Sequence, residues 1–199
     1  MQLLKLLLIE TKDLVQLSYF KMNKADDILS KNAHQKLTQA IFGLLPLTLS
    51  PIVARDTLDV NEKLKNNIQF SHFFYLNHQP QGEHIGLLKE LIDFLKPLAI
   101  IRIRLNITLP TEKIIEHDLH WDAADSVYNN NSIPFKNCTN SIYYLNTNNG
   151  YTFFEDGTKY ISKGNSLITF NNSLKHSGTT CTDAPYRAVL NFCYVAAEK

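Results

Sequence analysis

The chain of 199 residues carries 20 Lys and Arg against 19 Asp and Glu, a formal net charge of +1, with 44% hydrophobic and 20% charged residues. Such a make-up suits an ordinary soluble globule, long enough for one sizeable core, and excludes a broad electrostatic draw to nucleic acid or anionic lipid. The three cysteines are an odd number with no Cys-x-x-Cys spacing; they point to a reducing, cytoplasmic setting, with a Cys181–Cys193 disulfide as the open alternative.

In chain order, Leu3-Leu4-Lys5-Leu6-Leu7-Leu8-Ile9 is interrupted by Lys5 and lacks a small-residue cleavage site, so it reads as a buried strand or helix start and not as a signal peptide. No apolar run reaches the roughly 18 residues that a membrane helix requires. From Ala25 to Leu44, the apolar residues Ile28, Leu29, Leu37, Ile41 and Leu44 recur at helical intervals, with Asp26 and Asp27 near the start. Pro46 and Pro51 then mark a break. A strand is predicted over 68–76 and a helix over 82–95, where Ile85, Leu88, Ile92 and Leu95 form one stripe and Pro97 ends it. A long strand follows over 99–109, with Arg102 and Arg104 on the face opposite Ile101, Ile103 and Leu105.

Beyond His120-Trp121-Asp122, itself read as a strand, turn residues separate short strands at 140–146, 151–155, 158–162, 166–170, 174–180 and 186–195. Asn148-Asn149-Gly150 has the chemistry of a hairpin turn, and Lys163-Gly164-Asn165 repeats it. With the His120 segment these make about seven strands, close to the eight of a jelly roll. The fold class is therefore mainly β, a double-stranded β-helix core flanked by N-terminal helices.

On a strand, His120 and Asp122 point one way and Trp121 the other. Adding the distal His176 gives two imidazoles and a carboxylate, which leave three positions of an octahedral ion open, as non-haem iron(II) oxygenases require. Structural zinc would instead close a tetrahedron with four protein ligands. His117 lies three residues before His120, an odd spacing that turns it away on a strand. Asp118 and Asp125 are rival carboxylates, and Asp122 is preferred for its spacing to His120. His34, His72, His78 and His84 are given no role, because a histidine taken at random is more often surface or satisfied core. Trp121 reads as packing.

The ordered set His120-x-Asp122, Ile142-Tyr143-Tyr144-Leu145-Asn146, Gly150-Tyr151-Thr152-x-Phe154, His176 and Arg187 resembles the 2-oxoglutarate and Fe(II)-dependent oxygenases. Within them it is similar to the prolyl hydroxylase branch and its small relatives from phage and marine microbes. The likeness runs over about residues 99–195. It implies one oxygenase domain over 1–199, with an N-terminal layer to about residue 98 and the jelly-roll core after it. It also implies Fe(II) on His120, Asp122 and His176, with 2-oxoglutarate and dioxygen as co-substrates and ascorbate as a candidate auxiliary reductant. Arg187 would then grip the distal carboxylate of 2-oxoglutarate through its planar fork. Tyr144 would hydrogen-bond the same carboxylate, with Thr152 and Ile142 beside it, and Asn191 would line the site. The implied substrate is a peptide or small molecule, with a peptidyl or free amino-acid side chain such as proline favoured over a nucleobase. Lys63, Lys65, Arg102 and Arg104 are the nearest approach to a basic cluster. The segment 123–139, with Tyr128 and Phe135, is the expected lid. Two readings without turnover stand beside this one, a metal-containing jelly-roll binding protein and a metal-free structural jelly roll; the full His, Asp, His and Arg set argues against both. Nothing in the sequence fixes an oligomeric state.

Overall fold

The structure is a computed structural model that describes residues 22–50, 68–122 and 137–197. The predicted apolar start at 3–9, Pro51, Lys63, Lys65 and most of the predicted lid, including Tyr128 and Phe135, lie outside those residues.

The strand β11 (Arg187–Ala196) organises the main sheet because its residues alternate cleanly between two environments. Ala188, Leu190, Phe192 and Tyr194 join an apolar core on the outer side, whereas Arg187, Val189 and Asn191 line a cavity on the inner side. It pairs antiparallel with β5 (Pro97–Thr108) on one flank and β6 (Thr139–Tyr144) on the other. Beyond β6 come β9 (Ser166–Asn171) and the edge strand β1 (Asn23–Ala25); beyond β5 come β3 (Gln69–Leu76), with β2 (Thr48–Ser50) and β4 (Gln79–Pro80) both pairing to β3. A second sheet holds β10 (His176–Gly178), β7 (Tyr151–Phe154) and β8 (Lys159–Ile161) in that spatial order. Two isolated bridges, Glu116 to Thr179 and His120 to His176, add the chain before Asp122 to the free side of β10. The two sheets enclose a core of Ile142, Tyr144, Phe154, Ile168, Phe170 and Val189, which gives the jelly roll that the strand pattern predicts.

The outer face of the main sheet is covered by helices. Leu37 and Ile41 of α1 (Lys31–Leu44) and Leu91 of α2 (Lys89–Leu95) pack on Phe74, Ile103, Leu105 and Leu190. Both helices depart from the sequence-based bounds. The first starts at Lys31, not near Ala25, because the Ser30 hydroxyl caps it by accepting from the Ala33 N–H at 3.2 Å; residues 23–25 are a strand instead. In the second, Glu83–Leu88 winds as a tighter 3₁₀ turn and only Lys89–Leu95 is α-helical. Lys96 ends it in the left-handed region at φ 49°, and Pro97 opens β5.

The turns also differ from expectation. Asn148-Asn149-Gly150 is not a hairpin, since β6 pairs with β9 and β11 while β7 belongs to the other sheet; this stretch crosses between sheets. Lys163-Gly164-Asn165 carries the chain back, with Asn165 at φ 61°. A hairpin does join β7 and β8, with Gly157 at φ 85°. No disulfide joins Cys181 to Cys193: Cys193 packs with Cys138, and the Cys181 thiol donates to the Ala184 carbonyl. Among the described residues, no helix is long and apolar enough to cross a membrane.

Candidate metal centre

His120, Asp122 and His176 converge, with one ligand atom from each lying within 4.8 Å of the others. His176 opens β10, whereas His120 and Asp122 sit on irregular chain beyond the regular ladder, a correction to the predicted strand. They meet His176 nonetheless, because the backbones of His120 and His176 exchange two hydrogen bonds, at 3.0 and 3.1 Å.

Each imidazole is oriented from behind. Nδ1 of His120 faces the Asp118 carbonyl at 3.0 Å and Nδ1 of His176 faces that of Leu174 at 3.4 Å. With Nδ1–H donating to these carbonyls, both Nε2 lone pairs are left for an ion. The two Nε2 atoms face Asp122, at 3.9 Å from Oδ1 for His120 and 3.3 Å from Oδ2 for His176. The ring of Phe170 stands edge-on to His176 at 4.6 Å between centroids.

Asp122 is buried, and both of its oxygens are held. Arg102 Nη2 donates to Oδ1 at 2.5 Å, and Asn191 Nδ2 donates to Oδ2 at 2.8 Å. Burial alone would raise the carboxyl pKa, but Arg102 and the two imidazoles override it and hold the group well below its ordinary range. His120 keeps 32% of its side chain open to solvent through the cavity mouth, yet it is set deep among protein atoms. Desolvation, followed by the charge on His176, pushes its pKa down and favours the neutral, ligating form.

Further along the inner face of β11, Arg187 is buried and paired with no carboxylate among the described residues. Its Nε donates to Ser162 Oγ at 2.9 Å and its Nη2 to Thr152 Oγ1 at 3.1 Å. Tyr144 donates to the same Thr152 oxygen at 2.9 Å, and the guanidinium lies 5.9 Å from the Tyr144 ring centroid. Two glycines admit this arginine. A Cβ at Gly150 would lie 2.7 Å from Arg187 Cδ, and one at Gly178 would lie 3.0 Å from Nη1. Thr108, the register partner of Arg187 on β5, and Ser177, next to Gly178, have buried hydroxyls without hydrogen-bond partners.

The metal-centre cluster and Arg187 open on one cavity of roughly 560 Å³. Of the residues that the sequence singles out, His120, Asp122, His176, Arg187, Thr152 and Asn191 line it, and Tyr144 stands behind Thr152. His117 and Trp121 line it as well, although His117 is not part of the metal cluster. Arg102, Thr108, Ser162, Ser177 and the two glycines were not legible as site residues. The strand alternation that sets Arg102 apart from Ile101 and Ile103 was their one available signal.

The donors fit a small divalent ion with a preference for nitrogen and oxygen, three on one side with the cavity on the other. The buried guanidinium and the two orphaned hydroxyls fit a carboxylate, since a buried charge and buried donors call for partners.

No family model matches the sequence, and no curated protein does. Solved structures do match. One is a viral collagen prolyl hydroxylase from Paramecium bursaria Chlorella virus-1 in a 2-oxoglutarate complex, with 15% identity over 89% of this chain and 96% of that one and a TM-score of 0.53. A prolyl hydroxylase from Trichoplax adhaerens, bound to a peptide of hypoxia-inducible factor, has 11% identity over 98% and 92%, with a TM-score of 0.57. A 2-oxoglutarate–Fe(II) oxygenase family protein from Burkholderia pseudomallei has 17% identity over 88% and 84%, with a TM-score of 0.58. The chain thus has the fold of the 2-oxoglutarate and iron(II)-dependent oxygenases, prolyl hydroxylases among them.

Proposed function

We propose that the chain is a non-haem iron(II) and 2-oxoglutarate-dependent dioxygenase, one oxygenase domain that hydroxylates its substrate and releases succinate and carbon dioxide. The observation that carries this reading is the joint opening of the His120, Asp122 and His176 cluster and the buried, uncompensated Arg187 onto a single cavity. A binding protein that held only a metal would have no use for a desolvated guanidinium, which is what disfavours the alternative of a non-catalytic metal-containing jelly roll.

In this reading the two imidazoles and Asp122 hold the iron. Bound there, the iron would couple dioxygen reduction to oxidative decarboxylation of the 2-oxo acid, with ascorbate as a candidate auxiliary reductant. Arg187 binds the distal carboxylate of 2-oxoglutarate, and Thr152, Thr108 and Ser177 offer hydroxyls beside it. Tyr144 acts through Thr152, fixing the hydroxyl that also accepts from Arg187. Arg102 and Asn191 orient Asp122. The substrate is a peptidyl or amino-acid side chain, with proline the first candidate, because two of the similar structures are prolyl hydroxylases and one holds a peptide.

The test is iron-dependent release of succinate from 2-oxoglutarate by the purified chain, with His176→Ala and Asp122→Asn as controls. Wild-type release that disappears in both variants supports the assignment. Undiminished release from His176→Ala removes His176 from the metal site.

A further inference from the structure

The inner face of β5 carries four polar residues in alternation, Arg102, Arg104, Asn106 and Thr108, and all four line the cavity. Their charges are not equally answered. Arg102 is bonded to Asp122. Arg104 forms no salt bridge among the described residues; its guanidinium lies 5.0 Å from the Phe73 ring centroid, and its Nε is buried without an acceptor. Burial and the neighbouring charge of Arg102 pull its pKa down, and Asp122 offsets this only in part. A cation held this way is poorly compensated until an anion reaches it.

Register separates this cation from the 2-oxoglutarate anchor. Arg104 stands opposite Asn191 on β11, whereas Arg187 stands opposite Thr108. Four residues of strand make the separation about 13 Å. Asn191, which holds Asp122, marks the metal centre at the Arg104 end. Among the described residues, the lining contains three arginines and one carboxylate. Ferrous iron and doubly charged 2-oxoglutarate cancel each other, so the described lining keeps two positive charges in excess when both are bound. His117 does not add to them, because burial holds its pKa at about 4.

We propose that Arg104, backed by Arg102, receives a carboxylate of the substrate, so that the molecule oxidised is an organic acid, a free or C-terminal amino acid, or an acidic peptide side chain. The proposal rests on the oxygenase reading for what it calls a substrate, but the carboxylate site itself is testable without turnover. Arg suits the task because its fork binds a carboxylate bidentately. A carboxylate placed there lies next to the metal centre and leaves the Arg187 end free.

Trp121 is the single tryptophan of the chain and lines the cavity, so its fluorescence reports occupancy. The full chain, loaded with Mn(II) in place of iron and saturated with 2-oxoglutarate, is titrated with proline and N-acetylproline, with their carboxamides, with doubly blocked Gly-Glu-Gly, and with glycerol phosphate. At least one carboxylate is expected to bind about tenfold or more tighter than its amide, or than the blocked Gly-Gln-Gly counterpart. Which one does so separates a free acid from an acidic peptide. Arg104→Gln is expected to erase that preference, Arg104→Lys to restore part of it, and Arg104→Gln to raise the thermal midpoint of the ligand-free chain by relieving an unanswered charge. A merely structural arginine would instead lower the midpoint when replaced. Equal binding of acids and amides, no response to any carboxylate, tighter binding of the phosphate, or a preference that survives Arg104→Gln would each overturn the proposal. The affinity of the wild type for Mn(II) and 2-oxoglutarate is measured separately, and its absence would count against the oxygenase reading without deciding the carboxylate preference.

Discussion

Arg102 and Asp122 form an ion pair with Nη2 2.5 Å from Oδ1, tying a strand of the main sheet to the segment that carries His120. The carboxylate side chain is 3% exposed and the arginine 18%. A buried carboxylate left unpaired is strongly destabilising, whereas a divalent ion on the other oxygen can answer the same charge.

Arg102→Met is therefore expected to destabilise the metal-free protein by about 3 kcal/mol. With saturating Mn(II), most of that loss should vanish. Urea unfolding with and without the metal measures both, and an equal loss in the two conditions would assign Arg102 to packing alone.

Arg187→Ala should weaken 2-oxoglutarate binding by about a hundredfold or more, corresponding to loss of a charge-assisted contact of about 2–5 kcal/mol in a desolvated pocket. Metal affinity should be unchanged. Arg187→Lys should fall between, since a point charge cannot reproduce the fork. Calorimetric titration with 2-oxoglutarate on the Mn(II) form resolves the three, and an unchanged affinity in Arg187→Ala would move the anchor elsewhere.

The inner and outer faces of the main sheet were legible because β5 and β11 alternate with period two over long runs. Ile103, Leu105, Ala188, Leu190 and Phe192 build the outer core, and Arg102, Arg104, Arg187 and Asn191 reach the cavity. His120 and Asp122 were legible from their residue types and order along the chain; strand alternation does not bring them together, since they lie off the ladder and a pair of backbone hydrogen bonds between His120 and His176 brings them in. The role of Arg102 was hidden, because its charge partner is set by how the segment before Asp122 packs on β10, a non-local arrangement that no local pattern encodes. Asn148-Asn149-Gly150 misled in the same way. Turn chemistry reports that the chain can reverse, not which sheet it enters next. Around residue 30, the capping hydroxyl of Ser30 overrode the apolar spacing that had drawn the helix back to Ala25.

His117 supplies a pH dependence. Burial lowers its pKa in the folded protein to about 4, whereas an unfolded histidine titrates near 6.5. The native state thus refuses a proton that the unfolded state accepts. Stability from this residue is complete above about pH 6.5 and is lost as pH falls toward 4, by about 3 kcal/mol in all. Unfolding of the metal-free chain at stepped pH should show this slope, and His117→Asn should flatten it in that window. A slope unchanged in the variant would assign the acid sensitivity to other groups.

Gly150→Ala tests the passage that admits Arg187. The added Cβ would meet Arg187 Cδ and the Thr180 carbonyl oxygen, each at 2.7 Å. The backbone on one side cannot yield freely, so the expected penalty is about 1–3 kcal/mol of stability. Loss of 2-oxoglutarate affinity should accompany it as the guanidinium shifts. Thermal unfolding and the same calorimetric titration check the two effects, and an unperturbed midpoint would mean that the loop relaxes.

The side chain of Asn165 accepts from the Leu29 N–H at 2.9 Å and donates to the Leu29 carbonyl at 2.8 Å, while its own carbonyl accepts from the Ile28 N–H at 3.1 Å. These bonds continue the pairing of β1 with β9 past the end of the strand. They bear on which strand edge is open to pairing. Without the segment before residue 30, β9 would present a row of unpaired amides and carbonyls at the rim of the sheet, a template for strand addition. Three residues of β1 and one asparagine cover β9 on that side, and removing them should increase self-association through the bared edge, as light scattering of the truncated chain against the full one would show.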